Sequence, residues 1–334
     1  MPHELLMTKD DVSVVIPAYN AEKFIVDALE STLNQTHLPR EVLIINDGSN
    51  DQTFKTIEGW IEKTKSTYPA YTLLTQDNHG LPATRNVGIR RATGRWIALL
   101  DADDIWEPNH LSELLAAAAQ IPSAVASYGA GRLLVGAEVK DLLYDDFWDS
   151  PSRKFGRAIG VSSYLQIDRK IFPRLIQGNF IKPSSLLFDR RLSIDIGLFD
   201  TTLRTGEDRE FLVRLIFNGN LVYSPVPITQ YRWHADNISQ TKNAKRNAEN
   251  SLRALCKITE NRALGLNKDE VLACRQAIEI AVKEYLYICS NADWRSYFDG
   301  LQVVAELFGS SVKWSASSLK DLGRCFVRSI LNKK

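Results

Sequence analysis

The amino-acid sequence predicts an α/β fold, a mostly parallel sheet with helices on both faces, followed by a helical C-terminal region. Short β-branched runs alternate with segments of helical period over the first hundred residues. Polar residues follow three of the predicted strands, and beyond about residue 235 only the helical period continues. Because a helix between successive strands lets the chain cross over the sheet, the strands are expected to be parallel and the crossovers right-handed.

The elements follow in a regular order along the chain. Strands are predicted at 12–17, 41–46, 71–76 and 95–100, and helices at 21–35, 51–68, 81–92 and 108–120. Further on, the sequence predicts strands at 124–135, 184–188 and 221–223, a helix at 207–218, and an irregular region with short helices at 141–181. Pro225 and Pro227 are expected to end the last strand. A change of pattern near residues 235–245 predicts two domains, 1–238 and 239–334, and Asn267 with Glu270 fits a capping box in the second.

Composition and charge exclude several classes of protein. The chain has 334 residues with 41 Lys and Arg against 40 Asp and Glu, so its net charge of +1 gives no reason to expect nucleic acid as a partner. Its apolar runs, such as 114–119, are far shorter than the ~18 residues of a membrane span. The amino end is acidic where a signal peptide would be basic, and the four cysteines form no CxxC pair. We therefore expect a cytoplasmic protein with reduced thiols and no cysteine metal site.

The ends of three predicted strands carry the residues that suggest chemistry. The first strand ends in PAYN (17–20), the second in NDGS (46–49) and the fourth in DADD (101–104). In an open α/β sheet these ends line the ligand crevice. Neither a GxGxxG nor a GxxxxGK[ST] motif occurs, so a dinucleotide site of the Rossmann type and a P-loop are not expected.

Two aspartates of DADD, Asp101 and Asp103, are spaced so that both side chains of an extended backbone point to the same side. Carboxylates placed in this way repel each other or share a cation, and their hard oxygens suit Mg²⁺ or Mn²⁺. The same residues, with Asp104, could instead cap a helix that starts near Glu107. Three aspartates after a hydrophobic strand favour the metal site.

Five motifs in this order resemble the family 2 glycosyltransferases, whose fold is GT-A. They are PAYN, NDGS, the stretch DNHGLPATRNVGIRRATGRWIALLDADD, GEDREFLVRL and YRWHADNIS, and they span about two thirds of the chain. The resemblance implies transfer of a sugar, with inversion, from a nucleotide sugar that is usually a UDP-sugar. Residues 10–105 would then form the nucleotide-sugar half and 106–238 the acceptor half. The QxxRW motif of processive members is missing, which favours transfer of a single sugar to a saccharide or lipid-linked acceptor in bacterial surface polysaccharide assembly.

The resemblance also implies roles for individual residues of the donor site. The family's segment that holds the base and ribose is matched by Pro17, Ala18, Tyr19, Asn20 and Glu22, and its uracil contact is matched by Asp47. The loop beside the base is matched by Asn78 and Gly80, and the ribose and diphosphate region by Arg85 and Asn86. The DxD motif is matched by Asp101, Ala102 and Asp103. Asp103 is the expected direct ligand of Mn²⁺ or Mg²⁺. Three simpler interpretations stay open, since Tyr19 could be a core residue, Asp47 part of a plain turn, and Arg85 a solvated helix charge.

The second half supplies candidates for acid–base chemistry. Glu207 and Asp208 open a predicted helix, where negative charge is stabilised, and they could be a plain helix start. By resemblance Asp208 is the general base that deprotonates the acceptor hydroxyl, and Glu207 is the second choice or an acceptor contact. His234 follows the last strand and is a candidate ligand of the metal or phosphate, with a structural role as the alternative.

The last segment, 311–334, carries six basic residues against one aspartate and an apolar stripe at helical spacing. Such a helix could lie on an anionic bilayer as a peripheral contact, or pack on its own domain or in a dimer. Two other functions are open. A sugar-1-phosphate nucleotidyltransferase would require a Gly-rich loop where PAYN stands, and a nucleotide-sugar-binding protein without turnover would not require both Asp103 and Asp208.

Overall fold

The computed structural model of the chain describes residues 11–237 and 240–309, and these residues divide into two compact units. The first unit contains 11–202 and 211–234, and the second contains 203–210 together with the part of the chain that follows residue 234. The predicted domain boundary between 238 and 239 and the basic segment 311–334 lie outside the described residues. Both therefore stay predictions.

The elements are named in chain order. The strands are β1 (Val12–Ala18), β2 (Glu41–Asp47), β3 (Ala70–Gln76), β4 (Trp96–Leu99), β5 (Ile105–Trp106), β6 (Ala124–Val135), β7 (Glu138–Leu143), β8 (Arg157–Ala158), β9 (Leu165–Ile167), β10 (Leu186–Asp189) and β11 (Asn220–Trp233). The helices are α1 (Ile25–Leu33), α2 (Thr53–Thr64), α3 (Leu81–Arg91), α4 (His110–Ala118), α5 (Pro151–Phe155), α6 (Phe172–Leu175), α7 (Arg190–Asp195), α8 (Glu207–Asn218), α9 (Ala244–Glu260), α10 (Lys268–Ala292) and α11 (Trp294–Phe308).

All strands of the first unit belong to one sheet, with the order β3-β2-β1-β4-β10-β6-β11-β9-β8, β5 paired with β11 and β7 with β6. The strands β1 to β4 are parallel, as predicted from the alternation of strands and helices. The second half is mixed, because β10 runs antiparallel to both β4 and β6 while β6 and β11 are parallel. The parallel prediction thus holds for the first four strands, and the chain is a mixed α/β protein.

Strand β1 is buried over its whole length and has helices on both faces. Val14 and Ile16 belong to the core cluster that includes Ile25 of α1. On the opposite face α3 approaches closely at Gly88, where an added Cβ would lie 2.3 Å from Cγ1 of Val15. Because a strand buried on both faces can carry apolar residues without alternation, the run VSVVIPA is typical of this central position.

Strand β11 is longer than predicted, since it continues through Pro225 and Pro227 to Trp233. Its pairing with β6 shifts register between Ser224 and Pro227 and again between Pro227 and Thr229. Proline has no N–H to donate to a ladder but is tolerated at such irregularities, so the prediction that these prolines end the strand was wrong. The region 141–181 contains the predicted short helices and also short strands that its composition did not indicate.

The second unit is helical, as predicted. Helices α9, α10 and α11 enclose a cluster that includes Leu252, Tyr285 and Tyr297. The capping box at the start of α10 is confirmed, because Asn267 Oδ1 accepts from the Glu270 N–H at 3.0 Å and Glu270 Oε2 accepts from the Asn267 N–H at 2.8 Å. The described cysteines are free thiols. None of the helices placed in 11–237 and 240–309 is both long and apolar enough to cross a membrane.

Candidate active site

The loops that follow β1 and β2 are bound to each other. The Asn20 N–H donates to Ser49 Oγ at 3.0 Å, and Asn20 Oδ1 accepts from the Asn50 N–H at 2.9 Å. Glu22 Oε2 accepts from the Gln52 N–H at 2.8 Å. Asn20 and Glu22, both predicted to bind the nucleotide sugar, therefore hold the two loops together. Tyr19 is 49% exposed beside them, so its alternative interpretation as a core residue is wrong.

Pro17 and Ala18, the residues just before this loop, are the last two of β1, and both are buried. Their side chains are enclosed by the rest of the protein. The predicted contact of this segment with a nucleotide would therefore have to come from the backbone that follows Ala18. Tyr19 is the first exposed side chain after the strand.

Asp47, at the end of β2, fixes the loop between β3 and α3. Its side chain is only 4% exposed. Oδ1 accepts from Gln76 Nε2 at 2.7 Å and from the His79 N–H at 3.0 Å, while Oδ2 accepts from the Gly80 N–H at 2.9 Å. A carboxylate has about four acceptor positions, so about one is left for a further donor such as a base N–H. Asp47 is therefore more than part of a plain turn.

The two loops that Asp47 joins also touch directly. Gly48 has φ +68, and a Cβ at this position would lie 2.8 Å from the backbone N of Asn78. Gly80 has φ +86 and precedes α3. Asn78 between them is exposed. The predicted donor residues Asp47, Asn78 and Gly80 thus lie in one compact loop cluster.

Arg85 on α3 is a buried ion-pair partner and not a solvated helix charge. The side chain is 1% exposed, and its guanidinium lies 2.8 Å from Asp101 Oδ1. The guanidinium carbon also lies 5.4 Å from the ring centroid of Phe199. One carboxylate of the DxD motif is therefore engaged by a buried cation of the protein itself.

Asn86, the neighbour of Arg85, links α3 to the segment before residue 200. Its Nδ2 donates to the Phe199 carbonyl at 2.8 Å, and its Oδ1 accepts from the Phe199 N–H at 3.0 Å. The side chain is 2% exposed. Because this side chain uses both ends of its amide within the protein, we leave Asn86 out of the proposed donor site.

Asp103 faces His234, and Asp103 Oδ2 lies 3.0 Å from His234 Nε2. The imidazole packs on Phe24, with ring centroids 4.6 Å apart. Burial, and then the like charge of Asp101, raise the pKa of Asp103. The sequence prediction paired these two residues as metal ligands, and the structure brings their side chains together at the end of the sheet.

Asp104 is a buried structural acid. Its Oδ2 accepts from Ser184 Oγ at 2.5 Å and its Oδ1 accepts from the Arg232 N–H at 3.0 Å. Burial and then the charge of Asp103 raise the pKa of Asp104 well above its usual value. The next helix, α4, begins only at His110, after β5, and its N-cap residue Asn109 makes no side-chain cap. Helix capping by the aspartates, the alternative weighed from the sequence, is therefore wrong.

Sequence reasoning missed Ser184, which organises the DxD segment. Its Oγ also accepts from the Asp101 N–H at 3.1 Å, and its carbonyl accepts from the Trp106 indole at 2.7 Å. Ala102, between the aspartates, is buried. Ser184 precedes β10 and so does not fit the pattern of polar residues that follow strands. It lies beside the aspartates because β10 runs antiparallel to β4.

Glu207 and Asp208 belong to the second unit, where they begin α8 after Gly206, whose φ is +82. Asp208 Oδ1 accepts from the N–H of Arg209 at 2.7 Å, and Arg209 donates to the Ser251 carbonyl at 2.9 Å. Asp208 is half-buried and Glu207 is buried. An N–H at a helix start stabilises the charged carboxylate. The assignment of Asp208 as base and Glu207 as second choice stays a prediction.

A divalent ion fits the residues at the end of the sheet. Asp103 would supply a hard carboxylate oxygen, which suits Mg²⁺ or Mn²⁺, and His234 would supply an imidazole nitrogen. Over the described ranges, no group of three or more His, Cys, Asp or Glu side chains is arranged to hold an ion. An ion held by two side chains would complete its coordination with water and phosphate oxygens, as Mg²⁺ and Mn²⁺ do in nucleotide sites.

Sequence comparison connects this geometry with glycosyl transfer. Residues 13–144 match the family model described as Glycosyl transferase family 2. EpsH of Bacillus subtilis, named as a glycosyltransferase, is 27% identical over 288 residues, which cover 85% of this chain and 78% of EpsH. TuaG of the same organism, named as a glycosyltransferase of teichuronic acid biosynthesis, is 35% identical over 104 residues, 31% of this chain and 40% of TuaG.

Solved structures share the fold. Residues 1–349 of TarS from S. aureus, in complex with UDP-GlcNAc, superpose with a TM-score of 0.63 at 17% identity, covering 89% of this chain and 81% of that chain. The mannosyltransferase PcManGT from Pyrobaculum calidifontis, in complex with GDP-Man and Mn²⁺, gives a TM-score of 0.56 at 18% identity, covering 97% of this chain and 88% of that chain. The fold is thus that of GT-A glycosyltransferases, and the family match over 13–144 with the names of the relatives supports a family 2 glycosyltransferase.

Proposed function

We propose that this protein transfers a single sugar from a UDP-sugar to a saccharide or lipid-linked saccharide, with inversion at the anomeric carbon. The observation that supports this best is the convergence at one end of the sheet. The Asp47 loop cluster follows β2, and the facing pair Asp103 and His234 follows β4 and β11. A nucleotide site beside a cation site is the arrangement that a nucleotide-sugar transferase needs.

The loop cluster is the proposed site of the nucleoside. The remaining acceptor position of Asp47 would take the N–H of a uracil, and the exposed ring of Tyr19 would lie beside the base. A uracil offers a ring N–H to such an acceptor. The choice of UDP is supported by the family resemblance and by the UDP-GlcNAc in the TarS complex.

Asp103 and His234 would hold Mn²⁺ or Mg²⁺, and the bound ion would neutralise charge on the departing diphosphate. Asp101 would contribute through its ion pair with Arg85, which keeps one carboxylate charge compensated beside Asp103. The Mn²⁺ in the PcManGT complex supports this assignment.

Asp208 would act as the general base. In a direct displacement the acceptor oxygen forms a bond to the anomeric carbon, the bond from that carbon to the diphosphate oxygen breaks, and the hydroxyl proton goes to the carboxylate. A single displacement inverts the anomeric carbon. Glu207 is the second candidate for this role, because it lies beside Asp208 at the same helix start.

We place this reaction in the cytoplasm, in the assembly of a bacterial surface polysaccharide. The name of TuaG supports the polysaccharide. A lipid-linked acceptor would be reached from the inner membrane surface. The basic segment 311–334 would then be a peripheral membrane contact.

The test combines binding and turnover. Thermal shift with Mn²⁺ and a panel of nucleotide sugars should identify a stabilising UDP-sugar, because a ligand bound to the native state raises its apparent stability. The protein should then release UDP slowly from that sugar without acceptor, and EDTA should stop the release. Formation of a nucleotide sugar from UTP and a sugar 1-phosphate would instead identify a nucleotidyltransferase, and binding without UDP release even with acceptor extracts would identify a binding protein.

A further inference from the structure

Arg232, a residue of the YRWH segment to which the sequence assigned no role, connects helix α1 with the segment that carries Asp103. Its Nε donates to the Asp103 carbonyl at 2.8 Å, and its terminal nitrogen donates to Asp27 Oδ2 at 2.7 Å. The side chain is 12% exposed, whereas that of Asp27 is 52% exposed. One guanidinium thus binds two partners that are 76 residues apart in the printed sequence, and its planar fork fixes the directions of both bonds.

Phe24 completes this connection. The Arg232 guanidinium carbon lies 5.1 Å from the centroid of the Phe24 ring, and the His234 ring lies 4.6 Å from the same centroid. Phe24 immediately precedes α1 and follows the loop of Tyr19 to Glu22. The start of α1 therefore packs against both the arginine that holds the Asp103 backbone and the histidine that faces its carboxylate.

We infer that Arg232 is a positioning residue for Asp103 and that Asp27 holds Arg232 in place. The hydrogen bond from Arg232 Nε to the Asp103 carbonyl fixes the backbone at Asp103. The fixed backbone in turn directs the Asp103 carboxylate toward His234. Small displacements of groups that must meet a ligand are costly, since about 1 Å can lower a rate about 10²-fold. An exposed aspartate on α1 thereby takes part in cation binding without touching the cation.

This inference rests on the proposed function for its ligand, and it goes beyond it by assigning Asp27 and Arg232. The chain offers a matched control, because Glu30 lies on the same helix one turn further on and is exposed. Asp27→Asn and Glu30→Gln each remove one negative charge from α1. Only the first breaks the contact with Arg232.

The first measurement is calorimetry of UDP binding with Mn²⁺ and, separately, with EDTA. Asp27→Asn should weaken Mn²⁺-dependent binding about 2- to 5-fold, the range of a partly exposed ion pair. Arg232→Lys should weaken it about 10-fold or more, because the fork is lost. UDP binding in EDTA should be unchanged in both variants, and Glu30→Gln should match the wild type throughout. Asp27→Glu should restore most of the loss.

The double variant separates positioning from a general charge effect. The cycle uses Arg232→Met, which removes the positive charge as well as the fork. If Asp27 acts through Arg232, adding Asp27→Asn to Arg232→Met should weaken binding no further, since contacting residues are not additive. Fully additive losses, or equal losses for Asp27→Asn and Glu30→Gln, would overturn the inference. An equal loss in EDTA would also overturn it, because Arg232 would then act on the nucleotide loop.

A second measurement uses Mn²⁺ alone and does not depend on the donor. Paramagnetic broadening of the His234 imidazole signals by Mn²⁺ should occur in the wild type and need several-fold more Mn²⁺ in Asp27→Asn. If His234 is broadened in this way but no nucleotide sugar binds, the proposed function fails and the positioning role stands. If UDP-sugar is turned over but Mn²⁺ leaves His234 unchanged, the positioning role fails and the proposed function stands.

Discussion

The same substitution at the two aspartates of the DxD motif should have different effects on the stability of the fold and on Mn²⁺-dependent binding. Asp101 pairs with a buried arginine, whereas Asp103 faces His234. Asp101→Asn should therefore destabilise the fold, and Asp103→Asn should leave stability at least unchanged while it abolishes Mn²⁺-dependent UDP binding. Sequence spacing alone would assign both residues the same role.

The magnitude follows from the exposure of the two partners. Arg85 is 1% exposed and Asp101 27% exposed, with 2.8 Å between the charged atoms. Removing one partner of a fully buried pair costs about 3 to 5 kcal/mol. Because solvent reaches Asp101 and the Asn amide oxygen can still accept from Arg85, we expect about 2 kcal/mol. At Asp103 the substitution relieves the burial of a charged carboxylate and then its repulsion by Asp101, so no cost is expected.

The assay is urea unfolding of the whole chain at pH 7.5, followed by the fluorescence of its tryptophans, most of which lie in the first unit. Calorimetry of UDP and Mn²⁺ uses the same preparations. A free energy of unfolding about 2 kcal/mol lower for Asp101→Asn, with no decrease for Asp103→Asn, is the expected result. A destabilisation by Asp103→Asn that equals or exceeds that of Asp101→Asn would refute the division of roles. Unchanged Mn²⁺-dependent UDP affinity in Asp103→Asn would refute its assignment as ligand.

Three further predictions concern the base, acid stability and the basic segment. Asp208→Asn should keep donor affinity and lower turnover about 10²-fold or more; wild-type turnover would move the role to Glu207, which Glu207→Gln tests. His110 is buried and its pKa is lowered to about 3 by desolvation, so the folded state favours its neutral form. This contribution to the free energy of unfolding is present above pH 6.5 and is lost at up to about 1.4 kcal/mol per pH unit as the pH falls below that value. The free energy of unfolding should therefore fall less between pH 7.5 and 5 in His110→Gln than in the wild type. Equal decreases would contradict the burial argument. Removal of 311–334 should weaken co-sedimentation with anionic vesicles and leave UDP affinity unchanged, whereas full-length protein that never sediments would favour packing of this segment on the protein.

The sequence predicted the elements of the first half well, because strand and helix periods are local properties. The bounds of β1, β2 and β6 lie within one residue of the prediction. The continuation of β11 through its two prolines was missed, since register shifts against β6 are set by a strand far away in the chain.

The candidate site was predictable in part for the same reason. Strand ends marked Asp47, Asp101 and Asp103, but spacing cannot tell which carboxylate meets which side chain of the protein. The partners that decide this, Arg85 for Asp101 and His234 for Asp103, come from α3 and from the end of β11.

The position of β10 in the sheet has a consequence for how this protein can be divided. The residues matched by the family model end at 144, but β4, which precedes the aspartates, lies between β1 and β10, and β10 begins at Leu186. A fragment ending at 144 would expose the apolar edge of β4 and lose Ser184, so it is expected to aggregate rather than bind nucleotide. Chimaeras between relatives should therefore replace loops and leave β10 with its native partners β4 and β6.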